Sequence, residues 1–288
     1  MAEQSATVWR TSAASNAGND HVDKVADVIM SVGAHWLWLA SVPGKALLEC
    51  IATGAQLVLH GTTAQIQVGY APDGGVVDWD TTPSAPVWTG MRNITGNALS
   101  MGSQTARLDI AEYEDAILIG IGRAEGWRYA AFAGAVFEPW DESDIAQNIG
   151  KDGLLVGIPS RIVSNPNWLF GSTTANLGSC VRTGDIFEPI IVQSASVASP
   201  GTTAPDRILS RIGTAERFLP YYLNLLQAGG ISQPFGIAKY VRQWRANVPH
   251  GTRLMSQTVG SEQAWLGYQY DATQQNQFVL WSKTEGTP

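Results

Sequence analysis

The residues best placed to do chemistry are three acids, Glu112, Glu114 and Asp115, followed in the chain by Trp127 and Trp140. Glycoside hydrolysis asks for little more than two facing carboxylates and an aromatic platform for the sugar. The flanking residues, however, read as strand, turn and strand, and an exposed turn leaves Glu114 and Asp115 solvated. We therefore read them as turn residues and expect no catalytic carboxylate. A second acidic group, Glu138, Asp141, Glu142 and Asp144, lacks the alternating oxygen ligands, turn glycine and closing Glu of a calcium loop. Helix capping explains it better. His21, His35, His60 and His250 show none of the spacing of helical metal ligands, and each is expected at the surface or as a cap. Cys50 and Cys180 form no CxxC pair, so two reduced thiols are expected rather than a disulfide framework or a zinc site. Nucleophile elbows and phosphate-binding glycine loops are absent. Asn93, Ile94 and Thr95 would accept a glycan only in a secreted chain. No catalytic residue, metal ligand or cofactor is expected.

The elements that must carry these residues are mostly strands. Ala46 to Ala52, Gln56 to His60 and Ala64 to Tyr70 are short apolar or alternating runs, divided by Thr53-Gly54 and by Gly61 to Thr63, the pattern of a hairpin meander. A turn-rich loop follows from Ala71 to Ser84. Thr105 to Tyr113, Ala116 to Ile121 and Gly126 to Val136 predict three antiparallel strands of one sheet. Asp141 to Asp144, ahead of Ile145 to Gly150, predict a short helix with an acidic start and a glycine stop. Arg207 to Leu226 partly fits a helix that Pro220 would interrupt. Ile237, Tyr240, Val241 and Trp244 stand at i, i+3, i+4 and i+7, a better helical stripe. Arg253 to Thr258, Ala264 to Tyr270 and Phe278 to Ser282 return to β. The expected fold is mainly β: antiparallel sheets in sandwich- or barrel-like units, with one or two short helices. An N-terminal domain over 1–150 and a C-terminal domain over 151–288 are expected, the latter with long loops. The Ser194 to Pro205 tract, rich in Ser, Ala, Thr and Pro, reads as an exposed arm or linker over 193–206.

Composition points to contact with other chains. Eleven Trp and 30 Gly among 288 residues accompany only 15% charged residues, where roughly 25% is usual. Lysine occupies five positions and arginine thirteen, the bias of interfaces, where a planar guanidinium stacks and forks while an ammonium stays hydrated. Trp36, Trp38, Trp127, Trp265 and Trp281 lie in β-like runs and are expected to fill the core. Trp79, Trp88, Trp140 and Trp168 lie in loops beside Asp78, Pro86, Pro139 and Pro166. With Ser194, Pro200 and Pro205 they are the expected partner contacts. A formal charge of −7 argues against sequence-independent nucleic-acid binding. Met1 to Asn19 lacks the charged-then-apolar pattern of a signal peptide. The longest apolar stretch, Val25 to Val42, is broken by Asp27, Ser31, Gly33, His35 and Ser41 and falls short of the roughly 20 residues of a membrane span.

The segments Arg107 to Arg123 and Gly126 to Val136, with the acidic start Trp140 to Asp144, resemble β-rich virion structural proteins of tailed bacteriophages. The resemblance covers about 40 residues and transfers no functional residue. It implies a particle component: a homo-oligomeric subunit of the tail machine at the neck, tail tip or fibre attachment, made in the host cytoplasm and carried in the virion. Its partners would be copies of itself, other virion proteins and, at the host, a surface glycan. A capsid decoration protein is the alternative within that class. A glycan-binding protein or glycoside hydrolase is the alternative outside it.

Overall fold

The computed structural model describes residues 6–13, 18–61, 66–70, 92–93, 106–123, 126–139, 149–157, 179–183, 186–194, 218–226, 232–244, 252–258, 261–271 and 274–285. Among them is one helix, α1 (Gly18–Val32), whose buried residues Gly18, His21, Val22, Val25, Ala26 and Ile29 recur with helical period. Asp20 lies in its first turn, where a carboxylate suits the positive dipole end. The Val25 to Val42 stretch is thus the second half of this helix joined to a strand. Among the described residues no helix is long and apolar enough to cross a membrane.

Five strands follow as a meander: β2 (Trp36–Val42), β3 (Lys45–Cys50), β4 (Gln56–Gly61), β5 (Ile66–Tyr70) and β6 (Arg92–Asn93), each antiparallel to the next. This is the meander that the alternating runs predict. Gly61 sits where the helix start meets the sheet, and any Cβ there would fall on the Gly18 carbonyl and the Asn19 amide. Only a glycine lets the two backbones approach this closely.

The remaining strands form a larger sheet that closes on itself. β1 (Ala6–Ala13), β7 (Ala106–Glu112), β8 (Ala116–Arg123), β9 (Gly126–Gly134), β11 (Ile149–Gly157), β12 (Cys180–Thr183), β13 (Ile186–Ser194), β14 (Phe218–Leu226) and β15 (Ser232–Trp244) pair in the order β1-β7-β8-β9-β11-β12-β13-β14-β15. β18 (Gln274–Glu285) joins the two ends of that series: Ser282, Thr284 and Glu285 run parallel to β1, while Gln277 to Leu280 pair antiparallel with β15. Two strands therefore lie in both halves of the ring. β13 pairs with β12 through Ile186 to Pro189 and with β14 through Ile190 to Ser194, and β18 does the same at the other junction. Strands that switch sheets make the corners of such packings. β16 (Thr252–Thr258) and β17 (Ser261–Asp271) extend the free edge of β18 as a hairpin, and β10 (Phe137–Pro139) pairs with β15 at Gly236 to Ala238. Strands from either side of residue 150 thus share one sheet, with β9 directly paired to β11.

One apolar cluster joins the two sheets. Trp36, Leu48, Cys50, Leu57 and Leu59 of the meander meet Val22, Val25 and Ile29 of α1 and Leu108, Ile110, Ile117 and Ile119 of the ring. Trp36 is buried and Trp38 packs against the cluster, as expected; Trp127, Trp265 and Trp281 lie in β9, β17 and β18.

One expected helix is corrected. Ile237 to Trp244 belongs to strand β15, and its helical spacing has a local cause. Gly236, Ala238 and Tyr240 are buried in strand alternation, but a break in the β14 register between Pro220 and Tyr222 makes the next residue, Val241, buried as well. Tyr240 and Val241 are therefore buried side by side, as the i+3 and i+4 positions of a helical stripe would be, while Ile237 is only half-buried. The acidic helix start at Asp141 to Asp144 lies outside the described residues, but its expected end, Ile149 and Gly150, is the beginning of β11.

The predicted β7-β8-β9 sheet is present in antiparallel register, unbroken between β7 and β8 and shifted between β8 and β9 only at Ile121 and Gly122, and Ile119 in its central strand is 2% exposed. Ile119→Asp is expected to unfold or aggregate the protein, because a buried unpaired carboxylate costs several kcal/mol against a total stability of about 5–15 kcal/mol. Loss of the far-ultraviolet β signal and of soluble yield would register it.

Candidate functional site

The residues with the most specific polar geometry converge on the β7-β8 turn. Tyr113 N donates to Ala116 O at 2.8 Å, closing a tight hairpin over Glu114 and Asp115. Three separate parts of the protein are fastened to this turn.

The first is the connection from α1 to β2. Glu112, fully buried at the end of β7, accepts hydrogen bonds from the backbone amides of Ala34 at 3.1 Å, His35 at 2.8 Å and Trp36 at 2.8 Å. These amides surround the carboxylate as water would, which is how a buried charge is tolerated without a cation. The second is the meander, whose Cys50 Sγ donates to the Glu114 carbonyl at 3.4 Å.

The third is β15. Lys239 Nζ lies 2.6 Å from Asp115 Oδ2, and the Tyr240 hydroxyl donates to Asp115 Oδ1, also at 2.6 Å. The ring of Tyr240 stacks on Tyr113 at 4.0 Å with 15° between planes, Phe132 meets it edge-on at 6.2 Å, and the Lys239 ammonium stands 4.8 Å from its centroid. The backbone is fitted to the same purpose. Ala135 N donates to Asp115 O and Lys239 N to Val136 O, both at 2.8 Å. Between these contacts Gly134 adopts φ +98°, and a Cβ there would strike the Asp115 carbonyl. Tyr240 itself has φ 49°, alone among the described non-glycine residues in being positive. Such a conformation persists only where its surroundings hold it, and it marks functional or switching positions.

Burial, and after it the hydrogen bond to the Asp115 carboxylate, push the Tyr240 phenol far above the ordinary tyrosine value. It is therefore a protonated donor throughout the neutral and mildly alkaline range.

The three acids singled out in the sequence thus stay close but do not face one another. Glu112 is occupied by three amides; Asp115, held by a lysine and a tyrosine, is not the solvated turn carboxylate expected, whereas Glu114 is exposed as expected. Trp127 lies in β9, while Trp140 falls outside the described residues, as do Trp79, Trp88, Trp168, Pro200 and Pro205. Ser194 ends β13, paired with Tyr221. His21 and His60 are buried at 1% and 8% exposure rather than lying at the surface, because both belong to the tight junction of α1 with the meander. Cys50 and Cys180 are both buried and are not joined to each other in a disulfide. Among the described residues no three His, Cys, Asp or Glu side chains gather as a metal site. The sequence did not single out Lys239 and placed Tyr240 only on a helical stripe; the available signal was a lysine, one of only five, inside an otherwise apolar run. No protein-family model matches the chain, and no curated protein shows significant similarity to it.

Two outcomes test this geometry. Glu112→Ala is expected to cost about 3 kcal/mol or more in urea unfolding, since three amides lose their acceptor, and Glu112→Gln, which keeps one carbonyl oxygen, less. Tyr240→Phe is expected to cost about 1.5–3 kcal/mol at neutral pH, the worth of a hydrogen bond to a charge. Because the folded phenol titrates above its ordinary value of 10.0, the folded state retains a proton that the unfolded state releases. The wild-type advantage over the Phe variant is therefore full below pH 10.0 and falls as pH rises beyond it. Paired urea titrations on either side of that value measure the difference.

Proposed function

We infer that this chain is a structural subunit that assembles with copies of itself, of the kind carried in tailed-phage virions. The observation that carries the reading is an apolar surface around the junction of α1 and β2. Met30, Val32, Leu37, Leu39 and Ile51 are each 44–56% exposed. Ile51 is drawn to the same place by its amide bond to His35 O at 2.9 Å. β2 ends the five-stranded order and contains no charged residue between Trp36 and Val42. Exposed edge strands usually carry charges that discourage pairing, and a grouped set of exposed apolar side chains marks a contact surface. Low overall charge and the preference for arginine support the same reading. In this proposal the loop tryptophans and the Ser194 to Pro205 tract reach neighbouring subunits, the ring is the rigid body, and the particle is assembled in the host cytoplasm.

Leu37→Lys combined with Leu39→Lys is expected to leave the fold intact, since both side chains are exposed, and to weaken self-association at least about tenfold, equivalent to about 1.4 kcal/mol. Light scattering and sedimentation of wild type and variant decide it. A wild-type protein that stays monomeric, alone and in particles from its native source, overturns the reading.

A further inference from the structure

The geometry points to Lys239 and Asp115 as partners in an intramolecular isopeptide bond, formed between Lys239 Nζ and Asp115 Cγ with loss of water. The reacting groups are in contact at 2.6 Å, with side chains only 24% and 14% exposed. Tyr240 touches both, donating to Asp115 with its ring 4.8 Å from the ammonium, and is itself packed against Tyr113 and Phe132. A sequestered, preoriented pair is what amide formation in water otherwise lacks, because proximity replaces a bimolecular encounter and exclusion of solvent opposes hydrolysis.

The protons balance within the pair. One ammonium proton passes from Nζ to Oδ2, giving a neutral amine beside a neutral acid. The Nζ lone pair attacks Cγ, and the N–C bond forms as charge develops on Oδ1. Tyr240 already donates to Oδ1 at 2.6 Å, the position of an oxyanion-stabilising donor. A second proton from Nζ then goes to Oδ2, the Cγ–Oδ2 bond breaks, and water departs. The third proton stays on the amide nitrogen, and Oδ1 becomes its carbonyl oxygen, still held by Tyr240. No oxidant, metal or cofactor enters the balance. A phenol is protonated at neutral pH, and burial beside Asp115 extends that state of Tyr240 to more alkaline conditions.

Two further observations separate this pair from an ordinary surface salt bridge. The surface pair Lys24–Asp27 is 3.4 Å apart with side chains 45% and 58% exposed. At Asp115 both carboxylate oxygens are engaged at short distance by different groups, and the backbone of Tyr240 is held in an unfavourable conformation while it supplies one of them. The bond would close a loop across a separation of 124 residues. It would fasten the β7-β8 turn to β15 as a disulfide would, but without dependence on redox conditions.

The intact mass of the purified full chain, after prolonged incubation at neutral pH, tests the proposal. The expected mass is lower than that of the sequence by one water. Trypsin should then release a branched species joining Leu108–Arg123 to Phe218–Arg242, since an acylated Lys239 is not cleaved. Asp115→Ala and Lys239→Arg should each restore the full mass. Tyr240→Phe should slow the reaction about a hundredfold, the usual effect of removing one oxyanion donor. Should a variant fail to fold, the wild-type peptide map decides alone. Full sequence mass with Asp115 and Lys239 in separate linear peptides overturns the bond, and cross-linking of Tyr240→Phe at the wild-type rate overturns the role given to Tyr240.

Discussion

The structure depends on what happens at one two-residue turn. Glu114 and Asp115 reverse the chain between β7 and β8, and the residues from Glu112 to Asp115 fasten it to the α1-β2 connection, to β3 and to β15. Apolar burial draws the meander, helix and ring together, but burial is non-directional. Orientation comes from the directed polar contacts, each with a donor and an acceptor fixed on different elements. Glu112 carries the strictest requirement, because a fully buried carboxylate must find its amides or remain a charge in a medium that cannot solvate it.

Closure of the ring has a comparable effect on the sheet. Open sheets expose backbone donors and acceptors at two edges, whereas here β18 bridges β1 and β15 and leaves the ring strands paired on both sides over part of their length. Pro189 suits the first corner: it lacks an amide proton, and the ladder passes from β12 to β14 directly after it, where Ile190 N donates to Ser179 O at 3.1 Å. The edge at β2 is outside this closure. Its side chains Leu37, Leu39 and Val42 stay exposed, while most of the ring's edges are consumed internally.

Elements were legible in the sequence where their signal is local. β3, β4, β5, β7, β8 and β9 have alternating or continuous apolar runs bounded by turn residues, and their neighbours in sequence are their neighbours in space. The helix α1 was not, because its stripe of Gly18, His21, Val22, Val25, Ala26 and Ile29 mixes small, polar and apolar residues and continues into the apolar β2. The site was half legible. Its acids stand together in the chain, but their partners lie 76–78 residues before Glu112 and 124–125 after Asp115. Without those partners an acid beside a turn looks solvated.

The break in β15 explains why Lys239 and Tyr240 can share one carboxylate. Consecutive residues of a regular strand point to opposite faces, so an unbroken β15 would direct only one of them at Asp115. The register break opposite Tyr221 and the positive φ of Tyr240 bring the ammonium and the hydroxyl onto the two oxygens of the same group. For a residue with a Cβ that backbone costs about 1–2 kcal/mol, and an aromatic stack together with a charge-assisted hydrogen bond is enough to offset it. Along the edge of β15 that faces away from β14, the pairing with β10 ends at Ala238 and the pairing with β18 begins at Val241. Lys239 and Tyr240 fill the gap between the two ladders, where their side chains can be redirected without breaking either pairing.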